Sequence, residues 1–197
     1  MNQATIIEAI RKHTVLSDED AARFFSYFEY IKLPKNKVLI SQGDLNPPFV
    51  LIRSGCLMTS FVDEHDHHHV IQFGREMWWT GDLNSITNNT PSSYTVKTMA
   101  ESGLYILTPE HYRAILTDIP ALERYFRSIF QNSLVSHQKR IIRNISFTAE
   151  QKYLAFRKTH PGLESLVPQK YIASFLGITP EFLSKLRKRV HSRSTSG

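Results

Sequence analysis

The sequence predicts an α+β chain in three parts: an antiparallel β-sandwich or barrel, a long helix, and a C-terminal pair of short helices. Three observations predict it. Residues 29–107 fall into short runs rich in Val, Ile, Phe, Tyr and Thr. Gly43-Asp44, Pro47-Pro48, Ser54-Gly55, Gly74, Gly81 and Gly103 punctuate those runs as turns between strands. Residues 121–144 hold no Gly or Pro and keep a helical apolar spacing. Val167 to Val190 combine a small residue, a glycine and apolar positions at the intervals of a helix-turn-helix.

Taken in order, residues 3–12 and 17–28 read as helices, the second capped by Ser17 with an apolar stripe of Phe24, Phe25 and Phe28. The strand-rich region follows. Thr108-Pro109 and Asp118-Ile119-Pro120 read as a helix-breaking cluster. In the long helix, Leu122, Phe126, Ile129, Ser133, Ser136 and Arg140 alternate four- and three-residue steps, and Phe130, Leu134 and Ile141 widen the apolar face. Such a face can pack on a domain on one side and on a second helix on the other. Leu122, Phe126, Ile129, Phe130 and Ser133 are therefore the expected dimer contacts, with a helix wholly absorbed in its own chain as the alternative. Thr148, with Gln151 three residues on, starts another helix that ends before Pro161-Gly162. The tail from His191 is expected to lack structure.

In the terminal motif Ala173 supplies the small residue where two helices cross. Gly177 supplies the positive φ of the turn. Ile172, Leu176, Ile178, Leu183 and Leu186 face inward, Thr179 caps the second helix, and Pro180 occupies its first turn. Glu181, Ser184, Lys185 and Lys188 then share its outward face, where side chains can reach base edges and phosphates in a major groove of double-stranded DNA. Gln169, Lys170 and Ser174 are expected to support them from the first helix. The alternative is an ordinary helical hairpin with a solvated basic face.

Charge is unevenly placed. From Lys139 onward the chain carries twelve Lys/Arg against three acidic residues, whereas the preceding part carries twelve against fifteen. Basic charge thus gathers in the part holding the helix-turn-helix, as in a phosphate-binding module joined to a domain with another task. No apolar run approaches the ~18 residues of a membrane helix. The N-terminus lacks the basic-then-apolar order of a secretion signal, so a cytoplasmic protein without membrane association is expected. Cys56 is the single cysteine and reads as a small buried hydrophobe.

The stretches FVLIRSGCLMTSFVDE, VIQFGREMWWTGDL, SSYTVKTMAES and VPQKYIASFLGITPEFLSKLRKRV, in that order around a long helix, resemble the CRP/FNR superfamily of bacterial transcription regulators. The resemblance covers essentially the whole chain. It implies a jelly-roll-like β-roll of the cyclic-nucleotide-binding-domain type over residues 1–118, a dimerisation helix over 119–145, and a helix-turn-helix DNA-binding domain over 146–197. It also implies a homodimer, with RNA polymerase as a further partner. Members that bind cyclic AMP hold its phosphate with Gly-Glu-Leu and, about ten residues on, Arg-Ser. Here Gly81-Asp82-Leu83 and Ser92-Ser93 occupy those places, followed by Tyr94. A phosphate buried beside Ser92 would lack its guanidinium unless Lys97 or Arg75 reached in. Cyclic AMP is therefore not the expected effector, and no cofactor is expected. Trp78 and Trp79 line the remaining pocket or belong to the core.

Glu64 and the run HDHHH raise a metal reading. His65, His67 and His69 would share one strand face, as in a cupin-like metal-dependent β-barrel enzyme. A cupin would carry a glutamate three or four residues after the second histidine, but the first glutamate after His69 is Glu76. A polar hairpin is the expected reading. No nucleophile elbow, Walker loop or dinucleotide glycine motif is present, so an enzyme is not expected.

Overall fold

A computed structural model describes the backbone of residues 2–195 and the side chains of residues 2–190. Two N-terminal helices, α1 (Gln3–Arg11) and α2 (Asp18–Ser26), lead into β1 (Glu29–Leu33), β2 (Val38–Ile40), β3 (Phe49–Ser54), β4 (Leu57–Val62), β5 (His68–Gly74) and β6 (Trp79–Thr80). A short helix α3 (Leu83–Asn88) precedes β7 (Thr95–Thr98) and β8 (Ser102–Leu107). Helices α4 (Pro109–Asp118), α5 (Ala121–Ser146), α6 (Ala149–Thr159), α7 (Leu163–Leu166), α8 (Gln169–Leu176) and α9 (Pro180–Thr195) complete the chain. The expected α+β class is what forms.

The strands make two four-stranded antiparallel sheets, ordered β1-β8-β3-β6 and β2-β7-β4-β5, facing each other as a jelly-roll-like sandwich. Ile40, Val50, Ile52, Leu57, Val96 and Leu104 fill the space between them. Gly55 turns β3 into β4 with φ near +94°, and a Cβ there would lie 2.3 Å from Ser102 Oγ and 2.4 Å from the Glu101 carbonyl. Only glycine fits this turn.

A second core lies outside the first sheet. Phe24 of α2, Ile6 and Ile10 of α1, Ile115 of α4, and Leu122 and Phe126 of α5 pack with Phe49 and Tyr105. A third joins the roll to the C-terminal helices, with Val70 and Phe73 of β5 in one cluster with Phe156, Ile172, Leu176 and Leu183. The helix-turn-helix thus sits on the β-roll of its own chain.

Three stretches differ from expectation. Thr108-Pro109 starts α4 instead of breaking a helix: Thr108 accepts from the His111 N–H at 3.1 Å, and Pro109 takes the first turn, where no N–H is needed. The strand-rich region also contains α3, capped by Asp82. At the other end the tail expected to be unstructured continues α9 as far as Thr195, and residues 196 and 197 lie outside the described residues.

Candidate functional site

The turn between α8 and α9 follows from two residues. Gly177 adopts φ 67°, and the following Ile178 N–H reaches back to the Ala173 carbonyl at 3.1 Å. Ala173 is fully buried where the helices cross. Thr179 accepts from the Phe182 N–H at 3.2 Å and so caps α9. Leu183, Leu186 and Val190 turn inward, which leaves Thr179, Glu181, Phe182, Lys185, Lys188 and Arg189 exposed and Ser184 half-buried. The outward face therefore carries the side chains that the spacing assigned to it. Phe182 joins them, a large apolar group that the polar pattern of the helix concealed.

The supporting residues of α8 divide. Lys170 is exposed, with its ammonium 5.0 Å from the Tyr171 ring centre. Gln169 donates through Nε2 to the Pro180 carbonyl at 2.8 Å and ties the two helices together. Ser174 is turned inward. Its hydroxyl accepts from the Val70 N–H at 2.9 Å and donates to the His68 carbonyl at 2.7 Å, both on β5. The expectation of a DNA contact at Ser174 is corrected: β5 is the edge strand of its sheet, and the serine satisfies two of its open backbone groups. Arg140 of α5 donates to the Ile71 carbonyl on the same strand and lies over Phe175 of α8, 4.9 Å from the ring centre. Arg75, just beyond β5, donates to the Pro161 carbonyl at 2.7 Å. Behind α9, Glu164 collects Arg157 at 3.3 Å, Arg187 at 3.5 Å and the Tyr153 hydroxyl at 2.7 Å. Burial, with Glu164 beside it, pushes the Tyr153 phenol up to about 12.

The candidate effector segment is closed on itself. Asp82 is 2% exposed; one carboxylate oxygen accepts from the Ser85 N–H at 3.2 Å and the other from the Ser93 N–H at 2.7 Å. Ser92 is equally occupied: its carbonyl accepts from Gly43 at 2.7 Å, its N–H donates to Asp44 at 2.9 Å, and its hydroxyl bonds the Tyr94 carbonyl at 2.9 Å. An internal carboxylate thus holds N–H groups of the kind a phosphate would need. A Cβ on Gly81 would meet the Pro48 carbonyl at 3.0 Å, so this loop is packed tightly against its neighbours.

Beside that segment a cavity of about 790 Å³ runs down between β5, α5 and the C-terminal helices. Gly81, Asp82, Leu83 and Tyr94 line it, whereas Ser92 and Ser93 do not. Both tryptophans do. Trp79 stacks on Phe49 at 4.6 Å and donates to the Tyr125 hydroxyl at 2.9 Å, and Trp78 is 40% exposed.

The residues expected to join two copies also divide. Leu122 and Phe126 are buried in their own chain and offer no surface, while Ile129 and Phe130 are partly covered by the same core. Ser133 is exposed. The apolar stripe left open on α5 lies further along, at Leu134, Val135, Ile141, Ile142 and Ile145, the last 81% exposed.

The histidine run forms a hairpin turn. Asp63 receives the N–H groups of His65 and His67, each at 2.9 Å, and contacts His69 Nε2 at 2.8 Å. Those bonds hold its carboxyl well below the usual range, the His69 contact first. His65 and His67 lie in the turn, so the three histidines do not share a strand face. Among the described residues no three His, Cys, Asp or Glu are placed to hold a metal ion.

A β-roll joined by a long helix to a helix-turn-helix is the architecture of the CRP/FNR-type regulators, and this chain has that fold. The c-di-GMP-responsive global regulator CLP of Xanthomonas campestris matches it with a TM-score of 0.74 at 11% identity, over 90% of this chain and 93% of that one. FixK2 from Bradyrhizobium japonicum matches with 0.73 at 9% identity, over 85% and 86%. A transcriptional regulator assigned to the CRP/FNR family from Eubacterium rectale matches with 0.72 at 14% identity, over 90% and 85%. No family model matches the sequence, and no curated protein matches it.

Proposed function

We propose that the protein is a sequence-specific DNA-binding transcription regulator that acts as a homodimer and does not depend on cyclic AMP. The observation that carries this reading is the outward face of α9, where Thr179, Glu181, Lys185 and Lys188 stand exposed on a helix held by a buried crossing. Glu181 suits cytosine N4, and Lys185 suits guanine O6 or N7. The open stripe on α5 supports a second copy, and two copies would present two recognition helices to two half-sites. Asp82 supports independence from cyclic AMP, since a phosphate placed against the Ser93 N–H would meet a buried carboxylate. Among the described residues no helix is long and apolar enough to cross a membrane. The cytoplasm is the compartment this function requires, and RNA polymerase is the further partner it allows.

The test is a fluorescence-anisotropy titration of the whole chain against duplex DNA from upstream of its own gene, with a scrambled duplex as control. Tighter binding to the native duplex is expected, weakening steeply with salt. Lys185→Ala with Lys188→Ala should weaken binding to the native duplex and lower the salt slope by about one, the loss of the Lys188 phosphate contact. Equal affinity of the double variant and the parent would refute the assignment of this face. Cyclic AMP should leave the affinity unchanged.

A further inference from the structure

One side chain on the outward face of α9 answers to no hydrogen-bonding role. Phe182 is the only Phe, Tyr or Trp of that helix, is 47% exposed, and belongs to none of the three cores formed among the described residues. Its N–H donates to the Thr179 hydroxyl at 3.2 Å, which places it in the first turn behind the cap. A lone exposed aromatic ring is ordinary on a protein surface, so what matters is where this ring stands. Helical spacing sets it in one row with Thr179, Lys185 and Arg189, all of them exposed, and beside the exposed Glu181. Leu183 and Leu186 hold the inward side of the same turns.

The phenyl ring has neither donor nor acceptor, so it makes no hydrogen bond to a phosphate oxygen or to a base-edge nitrogen or oxygen. Among the groups that base pairs present in a major groove, the C5-methyl of thymine is the apolar one, and phenylalanine suits it. Neighbouring side chains at i and i+3 keep their Cβ atoms about 5–6 Å apart on a helix. Successive bases of one DNA strand are about 3.4 Å apart. A ring at Phe182 and an ammonium at Lys185 therefore reach bases one or two steps from each other.

We propose that Phe182 is a specificity-determining residue that reads a thymine by its C5-methyl, one or two base pairs from the guanine assigned to Lys185. This role rests on the DNA-binding reading above and adds to it an apolar component of recognition. Glu181 and Lys185 choose bases by hydrogen bonds; Phe182 chooses by burying a methyl group against its ring. Cytosine at that position would present its N4 amino group to an apolar ring and leave a donor unpaired, so thymine is favoured twice over.

The experiment selects duplexes with the whole chain from a pool whose central base pairs are randomised, once for the parent and once for Phe182→Ser. The parent should enrich a motif with thymine one or two positions from a guanine. Phe182→Ser should keep the guanine and lose the preference for thymine. In the duplex the parent selects, deoxyuridine in place of that thymine removes the methyl alone and leaves the pairing edge and phosphates intact. By fluorescence anisotropy the parent should then bind about fourfold more weakly with one half-site altered, and about fifteenfold with both. Phe182→Ser should bind the thymine and deoxyuridine duplexes equally. The deoxyuridine comparison on the parent needs no variant, so it decides even if Phe182→Ser fails to fold. A pool with no enriched motif would remove the DNA-binding reading and this role with it. An enriched motif without that thymine, a thymine preference that survives in folded Phe182→Ser, or a parent indifferent to deoxyuridine would overturn the role of Phe182 alone.

Discussion

Replacing Ser174 by alanine removes one oxygen that serves two backbone groups of an edge strand. The Val70 N–H loses its acceptor at 2.9 Å and the His68 carbonyl loses its donor at 2.7 Å, while the packing of α8 is nearly preserved. Each such bond contributes about 0.5–1.5 kcal/mol net. The site is only partly buried, so water recovers some of the loss; roughly 2 kcal/mol is the expected cost of loosening α8 from β5. At 1.36 kcal/mol per decade, that is about a thirtyfold faster opening. Hydrogen exchange at the Val70 amide measures it directly, and urea unfolding measures the global share. An unchanged Val70 exchange rate, with a stability change below about 0.5 kcal/mol, would refute the view that this hydroxyl anchors the C-terminal helices.

Two glycines should rank in a definite order under urea. Gly177→Ala has open space around its new methyl and should lose about 1–2 kcal/mol from its left-handed backbone alone, whereas Gly55→Ala must also displace Ser102 and the Glu101 carbonyl and should lose more. If the protein is the DNA-binding homodimer proposed above, Ile142→Glu, which places a charge on the open stripe of α5, should give monomer in light scattering and lower the affinity for duplex at fixed protein concentration. His160 titrates near 6.5 when unfolded but is pushed down to about 4 when folded, so the folded chain binds fewer protons between those values. Its contribution to stability is complete above pH 6.5 and is lost as pH falls through about 4. His68 and His137 shift in the same direction, so His160→Gln should flatten only part of the decline in urea midpoint between pH 7 and pH 5.

The helix-turn-helix was legible because its geometry leaves few residue choices: Ala173 at a crossing and Gly177 at a positive φ each exclude most side chains. The two-sheet roll was legible as a texture of turns and β-branched runs, but its pairing order was not, since partners such as β3 and β8 are far apart in sequence. Thr108-Pro109 misled because proline both ends helices and begins them, and only the Thr108 cap settles which. The α5 periodicity located an apolar helix correctly. It could not say that Leu122 and Phe126 would be used up by Phe49 and Trp79 of the same chain, moving the open stripe to Leu134–Ile145. Ser174 was illegible for a related reason: a serine on a first helix looks like a phosphate contact until the sheet edge beside it is known.

The edge of β5 also limits how this molecule can change shape. The His68 carbonyl and the Val70 N–H, two residues apart, point to the same open side, where Ser174 covers both and Arg140 covers the Ile71 carbonyl. Lifting the C-terminal helices off the roll would bare three backbone groups and expose Val70 and Phe73, which are buried with Phe156 and Leu176. An exposed strand edge flanked by apolar side chains is a template for aggregation. For the homodimer on two half-sites proposed above, a rearrangement is therefore cheaper if roll and helix-turn-helix move together about the open face of α5. In that case the Val70 amide stays protected from exchange when the chain binds DNA. Faster Val70 exchange in the DNA complex than in the free chain would show instead that the C-terminal helices leave β5 on binding.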